Sequence, residues 1–401
     1  MNNNNSTKIG VATASIVGIN AMIGAGIFSV PAALASSVGP AGILTYAFVI
    51  VSVYFMASSI ARLAELFPQE GSFYTYTKQW GGHTMGVIAA GAYLIGLLIA
   101  MGLLSQMAGK YLHVLFSTVS DSTLGIITLT SLVLLNIVGV SMSQASQIVL
   151  VCCTIFPLIT TIAMCFLRAD LNNLTPFMPY GLGNVLSATR AVIFGFFGFE
   201  CAASLFNVVE NPRKNVPKAL TYSIMVVGTL YLLFVASLIL AIPLHHFSDP
   251  TVPLSSILKV IFPHNVWIIN VIHLSILSAI IGTIHSMIWS SSALLLSYVK
   301  HLRSPIFKRL ITNNILTHRT AVLIVGLCIF ASYTTIENPN LFFSLTAVFI
   351  VFAYATSIIT LLTLPAERKF GQAIKTIIGL TTASVIFYFA LEGVLAALFK
   401  I

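Results

Sequence analysis

The residues in this sequence best suited to hold a ligand are four glycines and one acid, all set inside long apolar runs. Gly24 and Gly26 lie in Asn20-Ala21-Met22-Ile23-Gly24-Ala25-Gly26-Ile27-Phe28-Ser29-Val30-Pro31, and Gly195 and Gly198 lie in Phe194-Gly195-Phe196-Phe197-Gly198-Phe199-Glu200. Glycine weakens a helix by about 1 kcal/mol relative to alanine, so clustered glycines let a helix open. Opening frees N–H and C=O groups that hydrocarbon cannot satisfy. An open segment therefore persists only where it lines a cavity or binds something polar. A half-helix restarting at Gly26 points the positive end of its dipole at the gap, which predicts a carboxylate or similar polar head beside residues 24–26. The competing reading of each cluster is close helix packing. Two clusters at matching positions, one followed directly by an acid, favour binding.

Glu200 is the most informative single residue. A charged carboxylate in mid-membrane costs at least a few kcal/mol, so such a group is protonated, paired or open to water. Its functional role would be a proton-sensitive switch; its structural role would be to hydrogen-bond the broken backbone of the first helix. Cys201 beside it could suggest a nucleophile, yet adjacent helical residues point about 100° apart and make a poor dyad. An enzyme is not expected. His273 and His285 are too far apart for a metal pair and read as buried histidines bonded to neighbours, and the five cysteines show no ligand-like spacing. The sequence thus calls for no metal, disulfide or cofactor.

The elements that must position these residues are apolar helices. With 58% hydrophobic and only 7% charged residues, the chain falls outside the soluble range of about 25% charged. Mean hydropathy is +0.99. Eleven segments reach spanning length, at residues 9–36, 41–67, 85–115, 124–140, 148–166, 186–209, 219–244, 266–299, 320–335, 341–364 and 374–399, the fourth and ninth being shortest. The glycine clusters fall in the first and sixth. An offset of five inverts the second unit, so an all-α integral membrane fold with a five-plus-five inverted repeat is expected. Residues 1–8 form a polar tail, 9–364 the transport core and 365–401 an additional C-terminal helix. Of 19 basic residues, fourteen fall on the side of the N-terminus, which places that end in the cytoplasm and the chain in a cell inner membrane. The net charge of +9 is thereby explained without nucleic acid. The Asn-rich start lacks the features of a cleaved signal, so the first helix is retained. Residues 301–319 read as a solvated loop.

At these residues the sequence resembles the amino acid–polyamine–organocation superfamily of secondary transporters over nearly its whole length. Gly24-Ala25-Gly26-Ile27-Phe28 with Pro31 is similar to the family's first-helix motif, and Glu65-Leu66-Phe67-Pro68-Gln69-Glu70-Gly71-Ser72-Phe73-Tyr74-Thr75-Tyr76 to its loop between helices two and three. Asn136-Ile137-Val138-Gly139 resembles the end of helix four. Gly198-Phe199-Glu200 followed by Glu210-Asn211-Pro212-Arg213-Lys214-Asn215-Val216-Pro217 is the most specific match. The resemblance implies alternating-access transport, with the substrate held by Met22, Ile23, Gly24, Ala25 and Gly26 and by Phe194, Gly195 and Phe197. The spacing is closest to the arginine–agmatine exchangers and related basic amino acid or polyamine antiporters, in which the acid at Glu200 is implicated in pH response. Phe194 and Met287 stand where those exchangers carry tryptophans, which makes the pocket more apolar and suits neutral side chains as well. Thr154 stands where some proton-coupled relatives carry lysine. Family members usually have twelve helices and this chain aligns through eleven, so its C-terminus is expected outside.

The expected partners are a small amino acid or derived amine and the lipid bilayer, with room for a homodimer. The rival function is a polytopic channel or sensor without active transport. It would need rings of like pore residues, and none is visible.

Overall fold

The computed structural model describes residues 8–24, 26–67, 72–139, 144–200, 209–247, 252–313, 315–367 and 370–399. Helix occupies each of the eleven apolar segments. The first segment is split into α1 (Val11–Met22) and α2 (Gly26–Val38), and the tight turn Gly39–Ala41 leads into α3 (Gly42–Leu66). α4 (Ser72–Leu115), α5 (Asp121–Val138) and α6 (Gln144–Phe166) complete the first half. The sixth segment is a chain of short pieces, α7 (Gly181–Ser187), α8 (Thr189–Val192) and the 3-10 turn Ile193–Phe196. After it come α9 (Pro212–Ala241), the short amphipathic α10 (Leu254–Ile261) and α11 (Val266–His301). α12 (Pro305–Thr312), α13 (His318–Thr335), α14 (Pro339–Thr363) and α15 (Phe370–Phe399) end the chain. Among the described residues, eight helical stretches are long and apolar enough to cross a membrane, the first of them running through the turn from Gly26 to Leu66. The protein is a multi-pass membrane protein.

The two shortest segments begin earlier than their hydropathy indicates. Ser120 caps α5 by accepting from the Thr123 amide, and Thr317 caps α13 in a reciprocal box with Thr320. Hydroxyl caps satisfy helix-end amides that lipid would leave bare, so each helix extends to the cap. The stretch 301–319 is more ordered than a solvated loop, because α12 forms within it.

Helix packing repeats itself at an offset of five segments. α4 packs on α14 as α11 packs on α6; α4 packs on α5 as α11 packs on α13. α9 lies against α6 as α3 lies against α14, while α3 with α9, α4 with α11 and α5 with α13 pair with their own counterparts. Exchanging each segment for the one five places along therefore returns the same neighbours. That is the contact signature of the inverted repeat inferred from the glycine spacing.

Polar groups inside the bundle are bonded locally. His273 is buried, with Nδ1 2.7 Å from the Ser255 hydroxyl and Nε2 2.9 Å from the Tyr111 carbonyl. His285 lies 3.0 Å from the side-chain nitrogen of Asn136 across the α5–α11 contact. Both are buried and hydrogen-bonded within the bundle. The described residues contain no group of three or more metal-ligating side chains.

One end of the bundle is tied by a charged knot. Arg62 on α3 donates to both carboxylate oxygens of Glu367, at 2.8 and 2.5 Å, and to Glu65 at 2.6 Å, while Arg213 approaches Glu65 at 3.5 Å. The Glu367 side chain is only 4% exposed. Arg62→Met should therefore destabilise the protein by about 1–3 kcal/mol, since a buried carboxylate loses its bidentate partner. Glu367→Gln in that background should recover part of the loss, as read by the melting temperature in detergent.

Candidate functional site

The two glycine clusters meet at the centre of the bundle. α1 ends at Met22 and α2 restarts at Gly26, while the sixth segment leaves helical geometry at Phe197 and resumes it at Glu200. Ala25 lies outside the described residues. A Cβ on Gly26 would sit 3.2 Å from the Gly195 Cα and 3.3 Å from the Phe194 carbonyl oxygen, so the broken segments cross in near contact. Gly198 has φ +109°, and a Cβ there would run into the carbonyl oxygen of Ala21. The sequence folds this way because glycine alone permits both the backbone angle and the approach.

Opening α1 frees backbone groups, and their partners can be named. The Met22 carbonyl accepts from the Tyr231 hydroxyl at 3.0 Å and from the Gly24 amide at 2.9 Å. Ser29 returns its hydroxyl to the Gly26 carbonyl at 2.6 Å. In the second break the Gly198 amide donates to Glu200 Oε2 at 3.1 Å. Glu200 thus bonds the opened backbone of its own segment, not that of the first helix as the sequence suggested. Its remaining partners come from two other helices: the Tyr354 hydroxyl of α14 donates to Oε2 at 2.7 Å, and the Tyr93 hydroxyl of α4 donates to Oε1. Three donors thus converge on one carboxylate.

Beside the breaks is a cavity of about 540 Å³. Of the residues singled out from the sequence, Met22, Ile23, Gly24, Gly26, Phe194, Phe197, Glu200 and Met287 line it. Gly195 is not among the lining residues; its open side faces Tyr231, 3.5 Å from where a Cβ would stand. The cavity continues past the break along the N-terminal half, reaching Val17 and Asn20 on α1, Thr154 on α6 and Thr283, Ser286 and Ser290 on α11. Phe194, which lines it, packs edge-on against Phe343 at 5.3 Å and Phe197 at 6.1 Å. Apart from Glu200, the described lining residues carry no acidic or basic side chain.

Sequence reasoning missed Tyr93 and Tyr354. A tyrosine in mid-span needs a partner for its hydroxyl, so both could have been flagged as polar handles. Their shared target lies 107 and 154 residues away, which no local pattern indicates. Leu97, Ala100, Leu104 and Ile350 were missed for a plainer reason, since apolar cavity walls read like packing.

The sequence model of a family described as amino acid permease matches residues 9–400. The chain is 28% identical to the branched-chain amino acid permease BcaP of Bacillus subtilis (strain 168), over 63% of this chain and 58% of the permease. It is 26% identical to the glutamate/serine transporter AimA of the same organism, over 56% of this chain and 46% of that one. An uncharacterized transporter of Mycobacterium tuberculosis, Rv1999c, is 24% identical over 96% of this chain and 86% of its own length. The chain spans about half the length of the two named Bacillus relatives it matches.

Proposed function

The chain belongs to the amino acid permease family, and from that we propose that it carries a neutral, largely apolar amino acid across a membrane, holding it at the two crossed breaks. The observation that carries this reading is the composition of the cavity. Its walls are Met22, Ile23, Leu97, Phe194, Phe197, Met287 and Ile350, relieved by the hydroxyls of Thr154, Thr283, Ser286 and Ser290. Binding sites of this volume commonly pair an apolar lining with a few polar groups that fix orientation. A basic side chain would seek an acid, yet the one acid on the cavity wall already accepts from two tyrosines and an amide. The relatives agree in part, one being named for branched-chain amino acids and another for glutamate and serine. A basic or polyamine substrate, to which the motif spacing points, is the less favoured choice.

In this reading the substrate carboxylate takes the start of α2 beside Gly24 and Gly26, where amides of the first turn lack helical partners. The amino group takes carbonyls of the second break near Phe194 and Phe197. Transport proceeds by alternating access, with Phe194 closing one end of the path and Glu200 acting as the proton-sensitive element between α4, α14 and the second break. The N-terminus faces the cytoplasm of an inner membrane, in keeping with the fourteen basic residues on that side.

Counterflow in proteoliposomes tests the proposal. Vesicles loaded with unlabelled leucine should accumulate labelled leucine, with isoleucine and valine competing and arginine and agmatine failing to compete. Repeating the assay with and without sodium or a proton gradient assigns the coupling. Absence of counterflow with any amino acid or amine would refute transport, whereas competition by arginine alone would refute the neutral pocket.

A further inference from the structure

A second group of chemistry-bearing residues lies away from the cavity, where the beginning of α4 meets the end of α11. α4 is interrupted at Gly82, whose φ of 68° and ψ of −169° break the helix. The break lets His83 fold back on Tyr74, with Nδ1 2.9 Å from the Tyr74 hydroxyl. His301, the last residue of α11, stacks flat on Tyr74, its ring 4.0 Å away at an interplanar angle of 15°. Lys78 stands over the same ring at 5.6 Å. Tyr74 is buried, and a Cβ on Gly86 would overlap its ring and carbonyl, so the platform is fixed from below.

Lys78, His83 and His301 therefore gather around one buried tyrosine, with Lys300 beside His301 in the chain. The charges that act on His301 are Lys78, His83 and Lys300, with no acid among them. Among the described residues the ion pairs are Arg62–Glu65, Arg62–Glu367 and Arg213–Glu65, none of which reaches this group. Among the described residues no ion pair therefore neutralises these lysines, and uncompensated like charges repel. An anion between them would reverse the balance. The group also sits at the ends of two spanning helices, and on the proposed topology that end faces the side that carries most of the basic residues, where anionic headgroups attract cations.

We propose that Lys78, His83 and His301, gathered around Tyr74, together with Lys300 beside His301 in the chain, form a binding site for a phosphate-bearing anion, supplied by the headgroup of an anionic phospholipid. The lysines provide point charges and the imidazoles provide directed N–H donors, a mixture suited to a phosphodiester. The site couples lipid composition to the register of α4 against α11, two helices that also wall the cavity.

Thermal melting of the purified full chain in a neutral detergent tests this, with titration of phosphatidylglycerol, phosphatidylcholine or inorganic phosphate. Phosphatidylglycerol should raise the melting temperature, and phosphatidylcholine should not. The concentration giving half the shift should increase about thirty-fold in Lys78→Gln/Lys300→Gln, two lysines' worth of surface attraction. The double variant Arg309→Gln/Arg319→Gln removes the same charge from exposed positions elsewhere on that side and should leave the titration unchanged. If inorganic phosphate alone reproduces the shift with the same dependence on the lysines, the anion site stands and its source is soluble. Equal shifts with both lipids, or equal losses in the two double variants, would overturn the proposal.

Discussion

Gly198→Ala should reduce uptake to background and destabilise the protein by about 2–4 kcal/mol, while Gly195→Ala should leave folding near wild type. The two glycines sit three residues apart in the same broken segment, and the contrast follows from their surroundings. At Gly198 an added methyl meets two costs at once: a φ of +109° that side chains rarely adopt, and the carbonyl oxygen of Ala21 in its path. The segment can relieve neither without moving away from α1, which would separate the breaks and disperse the cavity between them. At Gly195 the same methyl would rest 3.5 Å from the Tyr231 ring, an ordinary contact. Melting temperature together with counterflow separates the cases. Equal tolerance at both positions would mean that the crossing does not constrain the segment.

Glu200→Ala should abolish transport and cost roughly 2–4 kcal/mol, because it removes the acceptor shared by the Tyr93 and Tyr354 hydroxyls and the Gly198 amide. Part of that cost is recovered by water entering from the cavity, which Glu200 also lines. Glu200→Gln keeps the shape, and a phenol can turn to accept from the new amide group, so the variant should fold with a melting temperature close to wild type. What it lacks is the acid itself. Uptake by Glu200→Gln should accordingly respond little to a change from neutral to mildly acidic pH, whereas wild-type uptake should change. A wild-type pH profile in the glutamine variant would return Glu200 to a purely structural role. Tyr354→Phe provides an internal check, since it removes one donor and leaves the carboxylate.

Much of the fold could be read in the sequence because the membrane imposes a coarse rule. A helix must be apolar over a fixed length, so the eleven segments, and the pairing of first with sixth, followed from hydropathy and glycine spacing alone. The caps at Ser120 and Thr317 were less visible, since hydropathy averages over the residues that set a helix end. The site was legible to the extent that backbone builds it. Gly24, Gly26 and Gly198 announce themselves because open backbone requires glycine, and Glu200 because an acid in an apolar run is conspicuous. The walls were not legible, since Leu97 or Ile350 facing a cavity looks the same as Leu97 or Ile350 facing a neighbour. Nor was Arg62 with Glu367, a contact spanning 305 residues that depends on how the end of α3 meets the turn after α14.

The self-mapping pattern of helix contacts bears on energetics as well as architecture. Two halves joined by the same pairings can trade conformations while conserving nearly all of their packing. In the alternating-access cycle proposed above, the arrangement with Phe194 packed on Phe343 beside the cavity would have a counterpart of similar free energy in which the closed end changes. Little driving force would then be needed to pass between the two states. A ligand that binds one of them better by 1–3 kcal/mol shifts their ratio about 5- to 150-fold, within the reach of a single amino acid or one proton.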